Sequence, residues 1–266
     1  MNPKHWLAAV LAVAGWSAPA AWAAPVFTVF EAAGADAADI TGTVDAFRAA
    51  IGGARREINW DGVPDARADP NALPGDFFNT TSPRGAVFTT PGSGFLVSAR
   101  TGQAAPTLFG FGNDFDTFSA ERLFTAVGSN ITDVGFFLPG TPTAATTSAF
   151  GLVFTDVEVA GLTSIEFFDT DGDLIFSRDA LVSGNAGLSF VGAVVTGGSI
   201  ARVRITSGLN TIVANGQLGN PNDDVVAMDD FIYAEPLVQQ VPLPPTLALG
   251  VLGLALLRGT RRRQAG

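Results

Sequence analysis

The string Asp169-Thr170-Asp171-Gly172-Asp173 places carboxylates at alternate positions around a glycine. Calcium loops collect hard oxygen ligands in this way. A full EF-hand loop would need a glutamate at its twelfth position, which here is Ala180. Both flanks have strand character, and the same string suits a hairpin turn with Gly172 at positive φ. Two interpretations stay open: a turn alone, or a turn in which Asp169, Asp171 and Asp173 bind calcium.

A second pair of carboxylates, Asp229 and Asp230, falls inside a predicted strand at 225–233. Neighbouring strand residues face opposite sides of a sheet, so one of the two should point toward the apolar face. A carboxylate there is costly unless it is paired or coordinated. We consider an arginine, a calcium ion or backbone amides as partners, or else simple exposure near the end of the strand. The residues that would supply them are Arg202 or Arg204, Glu31 as a co-ligand of calcium, and the irregular stretch 53–85.

The segment Asn59-Trp60-Asp61 is the candidate ligand loop, because a tryptophan ring beside polar side chains can stack on a sugar. The alternative is that Trp60 attaches its loop to the core. A glycoside hydrolase would need an acid and a base about 5 to 10 Å apart. The nominees are Asp61, Asp65, Asp156 and Glu158, and their spacing selects no pair.

Composition excludes most other chemistries. The chain has no cysteine, its one histidine is His5, and its one lysine is Lys4. If the first 23 residues are removed, nucleophilic catalysis that uses histidine, Cys/His zinc sites and disulfides are all excluded. Residues 24–240 contain 10 arginines and 25 acidic residues, a formal charge of −15. Such a domain repels phosphate backbones, so we expect no nucleic-acid partner.

The candidate residues described above lie on or between predicted elements, and most of these elements are short β-strands. The predicted strands lie at 87–90, 95–99, 123–127, 133–138, 153–159, 164–168, 174–177, 188–195, 201–205, 211–214 and 225–233. Gly, Pro, Asn and Asp clusters separate them. One short helix is predicted at 44–51, capped by Thr43 and stopped by Gly52-Gly53. The pattern predicts an all-β fold, a two-sheet antiparallel sandwich of jelly-roll type, with the Pro/Asp-rich stretch 53–85 packed over it.

Residues 1–23 have the composition of a secretory signal peptide. Lys4 and His5 precede an apolar run, and Ala21-Trp22-Ala23 forms an A-x-A cleavage site. The alternative is an uncleaved anchor helix. Either way, we expect the chain to be exported.

The C-terminal end has three parts: a Pro-rich linker and box at 237–246, a short hydrophobic helix at 247–257 and a basic tail at 258–266. The apolar stretch 243–257 would measure about 22 Å as a helix, against about 30 Å of bilayer hydrocarbon. The basic tail would stay in the cytoplasm. The residues that carry the pattern are Val241, Pro242, Leu243, Pro244 and Pro245, followed by Arg261, Arg262 and Arg263.

This order of parts resembles the PEP-CTERM sorting signal of Gram-negative, exopolysaccharide-producing bacteria. The box of that family usually reads Val-Pro-Glu-Pro, and here Leu243 stands in place of the glutamate. The resemblance implies an exosortase-type membrane enzyme as partner, cleavage near Pro242 to Pro244, and release or transfer to the cell surface. The alternative is a plain C-terminal membrane anchor without processing.

The middle of the chain is similar to a family of secreted bacterial sandwich proteins. The segments that carry this likeness are 59–64, 82–85, 150–157, 200–205 and 228–233. It implies the fold and an exported location, and no activity.

Taken together, the sequence predicts a signal peptide at 1–23 and one extracytoplasmic sandwich domain at 24–236, followed by the sorting segment. We expect a non-enzymatic surface or extracellular-matrix protein, stabilised by calcium and associated with exopolysaccharide. The alternative is a carbohydrate-binding or carbohydrate-hydrolysing domain that uses Trp60 and nearby carboxylates.

Overall fold

The computed structural model describes residues 24–213, 217–220 and 224–238. Within them lie two α-helices, α1 (Ala37–Ile51) and α2 (Phe77–Thr80), and short 3-10 turns at Asp65–Arg67 and Leu108–Gly110. The strands in chain order are β1 (Val26–Gly34), β2 (Arg55–Ile58), β3 (Ala86–Thr89), β4 (Gly94–Val97), β5 (Phe124–Val127), β6 (Ile131–Phe136), β7 (Ala149–Thr155), β8 (Ser164–Phe168), β9 (Leu174–Asp179), β10 (Leu188–Thr196), β11 (Arg202–Thr206), β12 (Ile212–Val213), β13 (Gln217–Leu218) and β14 (Ala227–Ala234).

The strands form two antiparallel sheets packed face to face. The larger, sheet A, has the order β1-β10-β7-β14-β5-β12-β13, with β2 paired to β14 and β4 paired to β5. Sheet B has the order β3-β6-β11-β8-β9. From β5 onward the chain passes back and forth between the sheets, so that β5-β14-β7-β10 faces β6-β11-β8-β9. This is the eight-stranded jelly-roll arrangement, and the predicted fold class is confirmed.

The core between the sheets is rich in phenylalanine and includes aromatic side chains from the stretch 53–85. Trp60 is fully buried and stacks on Phe124 of β5 with a centroid distance of 4.0 Å. Phe77 and Phe78 of α2 are buried in the same core. The expectation that this stretch packs on the sandwich is therefore confirmed, because its aromatic side chains fill the space that the strands leave open.

Helix α1 begins at Ala37, so the predicted start at Val44 with a Thr43 cap is wrong. Asp36 is the N-cap; its carboxylate accepts the Ala38 N–H at 2.9 Å, and Asp39 completes a capping box. Ile40 extends the buried face formed with Val44 and Phe47 by one turn. The predicted end is confirmed, with Gly52 in the left-handed region at φ 68°.

Helix α1 covers the outer face of sheet A, and a glycine pair makes room for it. Gly151 of β7 lies opposite Gly192 of β10. A Cβ added at Gly151 would lie 3.0 Å from Phe47 Cε1 and 2.9 Å from Phe190 Cζ. Strand β7 is buried on both faces as a result, and the half-wet alternation predicted for 153–159 is wrong.

Strands β1, β2 and β13 are additions to the predicted set. Among the described residues, no helix has both the length and the apolar character needed to cross a bilayer. The predicted signal peptide, the sorting box at 241–245, the C-terminal helix and the arginine cluster lie outside the described residues and stay predictions.

Candidate metal centre

Asp229 and Asp230 share one face of sheet A because β14 carries a β-bulge between them. Met228 pairs with Phe154 of β7 and Phe231 pairs with Leu152, so the two aspartates stand opposite the single residue Val153. The expectation that they face opposite sides is therefore wrong. Met228 and Phe231 point into the core between the sheets. Both carboxylates project on the outer face, toward α1.

The Asp229 carboxylate is fully buried and holds the loop that precedes β5. Its Oδ2 accepts the backbone N–H groups of Phe118 at 2.7 Å and Ser119 at 3.2 Å. The Ser119 hydroxyl lies 3.1 Å from Asp229 Oδ1 and 2.7 Å from Asp230 Oδ1, and can donate to one of them at a time. Trp60 Nε1 donates to the Asp229 carbonyl at 3.0 Å.

Arg48 of α1 is the cation beside Asp230, at 3.5 Å from its Oδ2, and it also pairs with Glu57 at 3.0 Å. The partners of Asp229 and Asp230 are therefore backbone amides and an arginine. This agrees with one of the alternatives above, but the residues that supply these groups differ from those predicted. Arg202 and Arg204 bind Asp133 of β6 instead. Glu31 is no co-ligand, because β10 and β7 separate β1 from β14, and it pairs with Arg178.

Burial raises the pKa of Asp229 well above its usual value, and the neighbouring charge of Asp230 raises it further. Burial likewise raises the pKa of Asp230, against the lowering effect of the Ser119 hydrogen bond and of Arg48. The two aspartates therefore tend to share a proton. Their hydrogen bonds attach the loop before β5 to strand β14, which is a structural role.

The 169–173 string forms the hairpin turn between β8 and β9. Asp169 Oδ1 accepts the backbone N–H groups of Asp171 at 2.9 Å and Asp173 at 3.0 Å. Gly172 has φ 86°, as the turn interpretation requires. The Asp169 carboxylate thus serves the turn itself, while Asp171 and Asp173 are exposed.

The candidate ligand loop presents no aromatic surface, since Trp60 is fully buried. The prediction that Trp60 stacks on a sugar is therefore wrong. The alternative, that Trp60 attaches its loop to the core, is confirmed. Asn59 is exposed, and Asp61 accepts the Arg122 N–H at 3.2 Å. Burial raises the pKa of Asp61, and that backbone hydrogen bond opposes the shift.

The four nominated hydrolase acids divide into two groups. Asp65 binds the guanidinium groups of Arg122 at 2.6 Å and Arg100 at 2.9 Å, while Asp61 accepts only the backbone N–H of Arg122. Asp156 and Glu158 lie at the end of β7, and the fold brings a third acid, Asp224, to them. These three residues are here called the acidic triad, and one carboxylate oxygen from each lies within 4.8 Å of the other two.

The acidic triad lies at the end of the sandwich where β7 ends and where β10 and β14 begin. Asp156 adopts φ 70°; its N–H donates to the Gly187 carbonyl at 2.9 Å, and its Oδ1 accepts the Ala186 N–H at 2.9 Å. The Asp224 carbonyl accepts the Asn210 N–H at 2.9 Å. Two chain segments, 186–187 and the one that contains Asn210, therefore fix the positions of Asp156 and Asp224.

Among residues 24–213, 217–220 and 224–238, these are the only three acids that lie close enough together to hold a metal ion. None of the ion pairs in that part of the chain includes a triad member. Both carboxylate oxygens of Asp224 are buried, and within the described residues neither has a hydrogen bond of normal geometry. The nearby N–H groups of Glu158 and Val159 lower its pKa, but burial outweighs them and raises it.

Crowding of these charges is costly without a counter-charge. Two unit charges 4 Å apart repel by about 4 kcal/mol at an effective dielectric constant of 20. Burial raises the pKa of Asp156 to about 7, and the charges of Glu158 and Asp224 add to the shift. A proton on Asp156 or a bound cation would offset this repulsion at neutral pH.

A cation suits the arrangement because all ligand atoms are carboxylate oxygens, which hard ions such as calcium prefer. Asp156 is buried while Glu158 is exposed, so one side of the triad opens to solvent. Water could enter there and complete a coordination shell of six to eight oxygens, a typical number for calcium.

Sequence reasoning missed Asp224 and assigned Asp156 and Glu158 to a different chemistry. The spacing of Asp156 and Glu158 at the end of a strand was a usable signal. Their approach to Asp224 depends on the pairing of β7 with β14, which no local pattern contains. No known protein-family profile matches the sequence, and no functionally characterised protein is significantly similar to it.

Proposed function

We propose that this chain is an exported, non-enzymatic surface or extracellular-matrix protein whose sandwich is stabilised by one calcium ion at the acidic triad. The observation that supports the calcium is the Asp224 carboxylate, which lies beside Asp156 and Glu158 and whose two buried oxygens have no hydrogen bond of normal geometry within the described residues. A bound ion supplies the missing partner and offsets the repulsion.

The location of the triad explains why an ion would matter there. Asp156 and Glu158 follow β7, Asp224 precedes β14, and the Asp156 carboxylate also binds the Ala186 N–H in the loop before β10. Strands β10, β7 and β14 are neighbours in sheet A. A divalent ion would fasten these segments to one another, in a chain that has no cysteine for a disulfide. Export gives access to calcium, and extracellular modules bind it with dissociation constants of about 10⁻⁴ to 10⁻³ M.

Delivery to the surface rests on the two ends of the sequence. The signal-peptide pattern at 1–23 and the PEP-CTERM-like segment support export and processing by an exosortase-type enzyme. The acidic composition favours cation-bridged polysaccharide over nucleic acid as a neighbour in the matrix. The carbohydrate-active alternative loses its main support, because Trp60 is inaccessible and Asp65 is bound to arginines.

The calcium proposal is tested by thermal unfolding with calcium and with chelator. At a calcium concentration of about 10 mM, the dissociation constants above correspond to about 1.4 to 2.7 kcal/mol of stabilisation. Asp224→Asn should abolish this gain. The matched control is Asp171→Asn in the exposed turn, which should keep it. Loss of the calcium effect in the control alone would place the ion in the 169–173 turn and refute the triad.

The sorting proposal is tested by replacing Pro242 and Pro244 with alanine. The altered protein should accumulate as a larger, membrane-retained species in the host that exports it. A product of unchanged size and location would refute processing at this box and leave the calcium proposal untouched.

A further inference from the structure

Strand β1 forms an open edge of sheet A over nine residues. It pairs with β10 on one side, and no described strand pairs with it on the other. Helix α1 packs on the outer face, against Phe30 and Ala32, rather than on the edge. Val26 is 63% exposed and Val29 is 38% exposed. The outward backbone groups of this edge are thus a template for another strand.

The other edge strands of the two sheets have features that discourage pairing between molecules. In sheet A, β13 is two residues long, and the branching strands β2 and β4 have four residues each. In sheet B, β3 has four residues, and β9 has six and ends in the charged residues Arg178 and Asp179 after a register shift against β8. Short length, charge and irregularity each discourage pairing between molecules. Strand β1 has none of these protections.

Charge does not protect β1 either. Its sequence, VFTVFEAAG, contains no proline, lysine or arginine, and Glu31 is its one charged residue. Arg178 binds both oxygens of Glu31 at 2.6 Å, so this charge is neutralised within the same molecule. Phe27 stacks on Phe176 of β9 with a centroid distance of 4.9 Å, which attaches β1 to sheet B. The edge is therefore neutral and preorganised on a protein that is otherwise strongly acidic.

We propose that β1 pairs antiparallel with β1 of a second copy of this chain, about a two-fold axis centred on Phe30. This centre keeps all nine residues of each strand in register and places Thr28 opposite Ala32 and Val29 opposite Glu31. No two carboxylates then face each other across the junction. The contact joins two A sheets into one continuous sheet and covers both valines.

A second copy fits this edge better than an unrelated strand because the interface is self-complementary, as a two-fold dimer requires. The formal charge of −15 on residues 24–240 opposes the approach of two copies. Salt screens that repulsion but leaves backbone hydrogen bonds intact. Association should therefore strengthen as ionic strength rises.

The oligomeric state is measured by sedimentation equilibrium of the purified protein at low and high salt, with calcium present. We expect a monomer–dimer equilibrium that shifts toward the dimer in salt. Thr28→Lys should give a monomer with an unchanged circular dichroism spectrum, because a lysine at the edge blocks pairing. A wild-type monomer at every salt concentration would overturn the proposal, and so would a dimer that Thr28→Lys leaves intact.

Introduced cysteines test the register, since the chain has none of its own. In the double variant Thr28→Cys/Ala32→Cys, each cysteine faces its partner residue across the junction, so mild oxidation should give a covalent dimer. The single variant Thr28→Cys is the control, because the two sulfurs would lie about 13 Å apart along the strands. Equal cross-linking of both variants, or of neither, would refute this pairing. Neither result bears on the calcium proposal.

Discussion

The carboxylate of Asp224 lies within 4.8 Å of that of Asp156, and neither is paired with an arginine in the described part of the chain. Two other half-buried acids, Asp133 and Asp65, lie beside arginines. The calcium ion that we propose would take the place of an arginine at the acidic triad.

The calcium effect should depend on pH. The pKa of Asp156 is raised from 3.8 to about 7, so the folded state without calcium holds a proton that the unfolded state releases. Stability from this group is therefore lost as pH rises from about 4 to about 7. Calcium replaces the proton, so it should raise the melting temperature strongly near about pH 8 and little near about pH 5. Equal shifts at the two pH values would contradict this.

Asp229→Asn should make the stability of the protein less dependent on pH. Burial raises the pKa of Asp229, so the wild-type protein loses stability as pH rises above the unfolded value, and asparagine removes that loss. An amide oxygen can still accept the N–H groups of Phe118 and Ser119. Urea unfolding across pH should show the variant gaining on the wild type toward alkaline pH. Asp171→Asn, in the exposed turn, should show no such trend.

Trp60 should behave as a core residue. Its replacement by alanine should cost about 3 to 5 kcal/mol of unfolding free energy. Trp60→Phe should cost less, since it keeps much of the ring packing but loses the hydrogen bond to the Asp229 carbonyl. Trp60 is also the one tryptophan in 24–266, so fluorescence after leader removal reports it alone. Its emission should resist quenching by acrylamide and stay unchanged with added oligosaccharides; a strong response to either would contradict its burial.

Gly151→Ala should destabilise the protein by about 1 to 3 kcal/mol through overpacking. The new methyl group would meet Phe47, Phe190 and the Gly192 backbone at about 3 Å. Gly53→Ala is the control, because nothing lies within 4 Å of a Cβ there, and it should stay within about 0.5 kcal/mol of wild type. Equal melting temperatures for the two variants would show that α1 can move away from the sheet.

Much of the fold was predictable from local pattern. The alternation in Arg202–Thr206, for example, predicts β11 as a strand with one buried face, and the structure confirms it. Strand β1 was missed because Val26–Gly34 follows the leader directly and ends in Ala-Ala-Gly, which lacks strand character. The start of α1 was missed because the Asp36 cap is followed by weakly apolar residues, and only Ile40 marks the first turn.

The sites were less predictable because they depend on pairing between distant segments. The acids 229 and 230 were recognised, but a bulge against Val153 changed the face on which they lie and the partners they meet. Asp224 joined Asp156 and Glu158 only once β14 lay beside β7. Local sequence specifies which residues are acidic, whereas the strand register decides which of them meet.

Calorimetric titration of calcium into the purified protein at about pH 8 counts the ions bound and reports their affinity. We expect one calcium per chain with a dissociation constant of about 10⁻⁴ to 10⁻³ M, lost in Asp224→Asn and kept in Asp171→Asn. Absence of binding by the wild-type protein, or unchanged binding by Asp224→Asn, would contradict it.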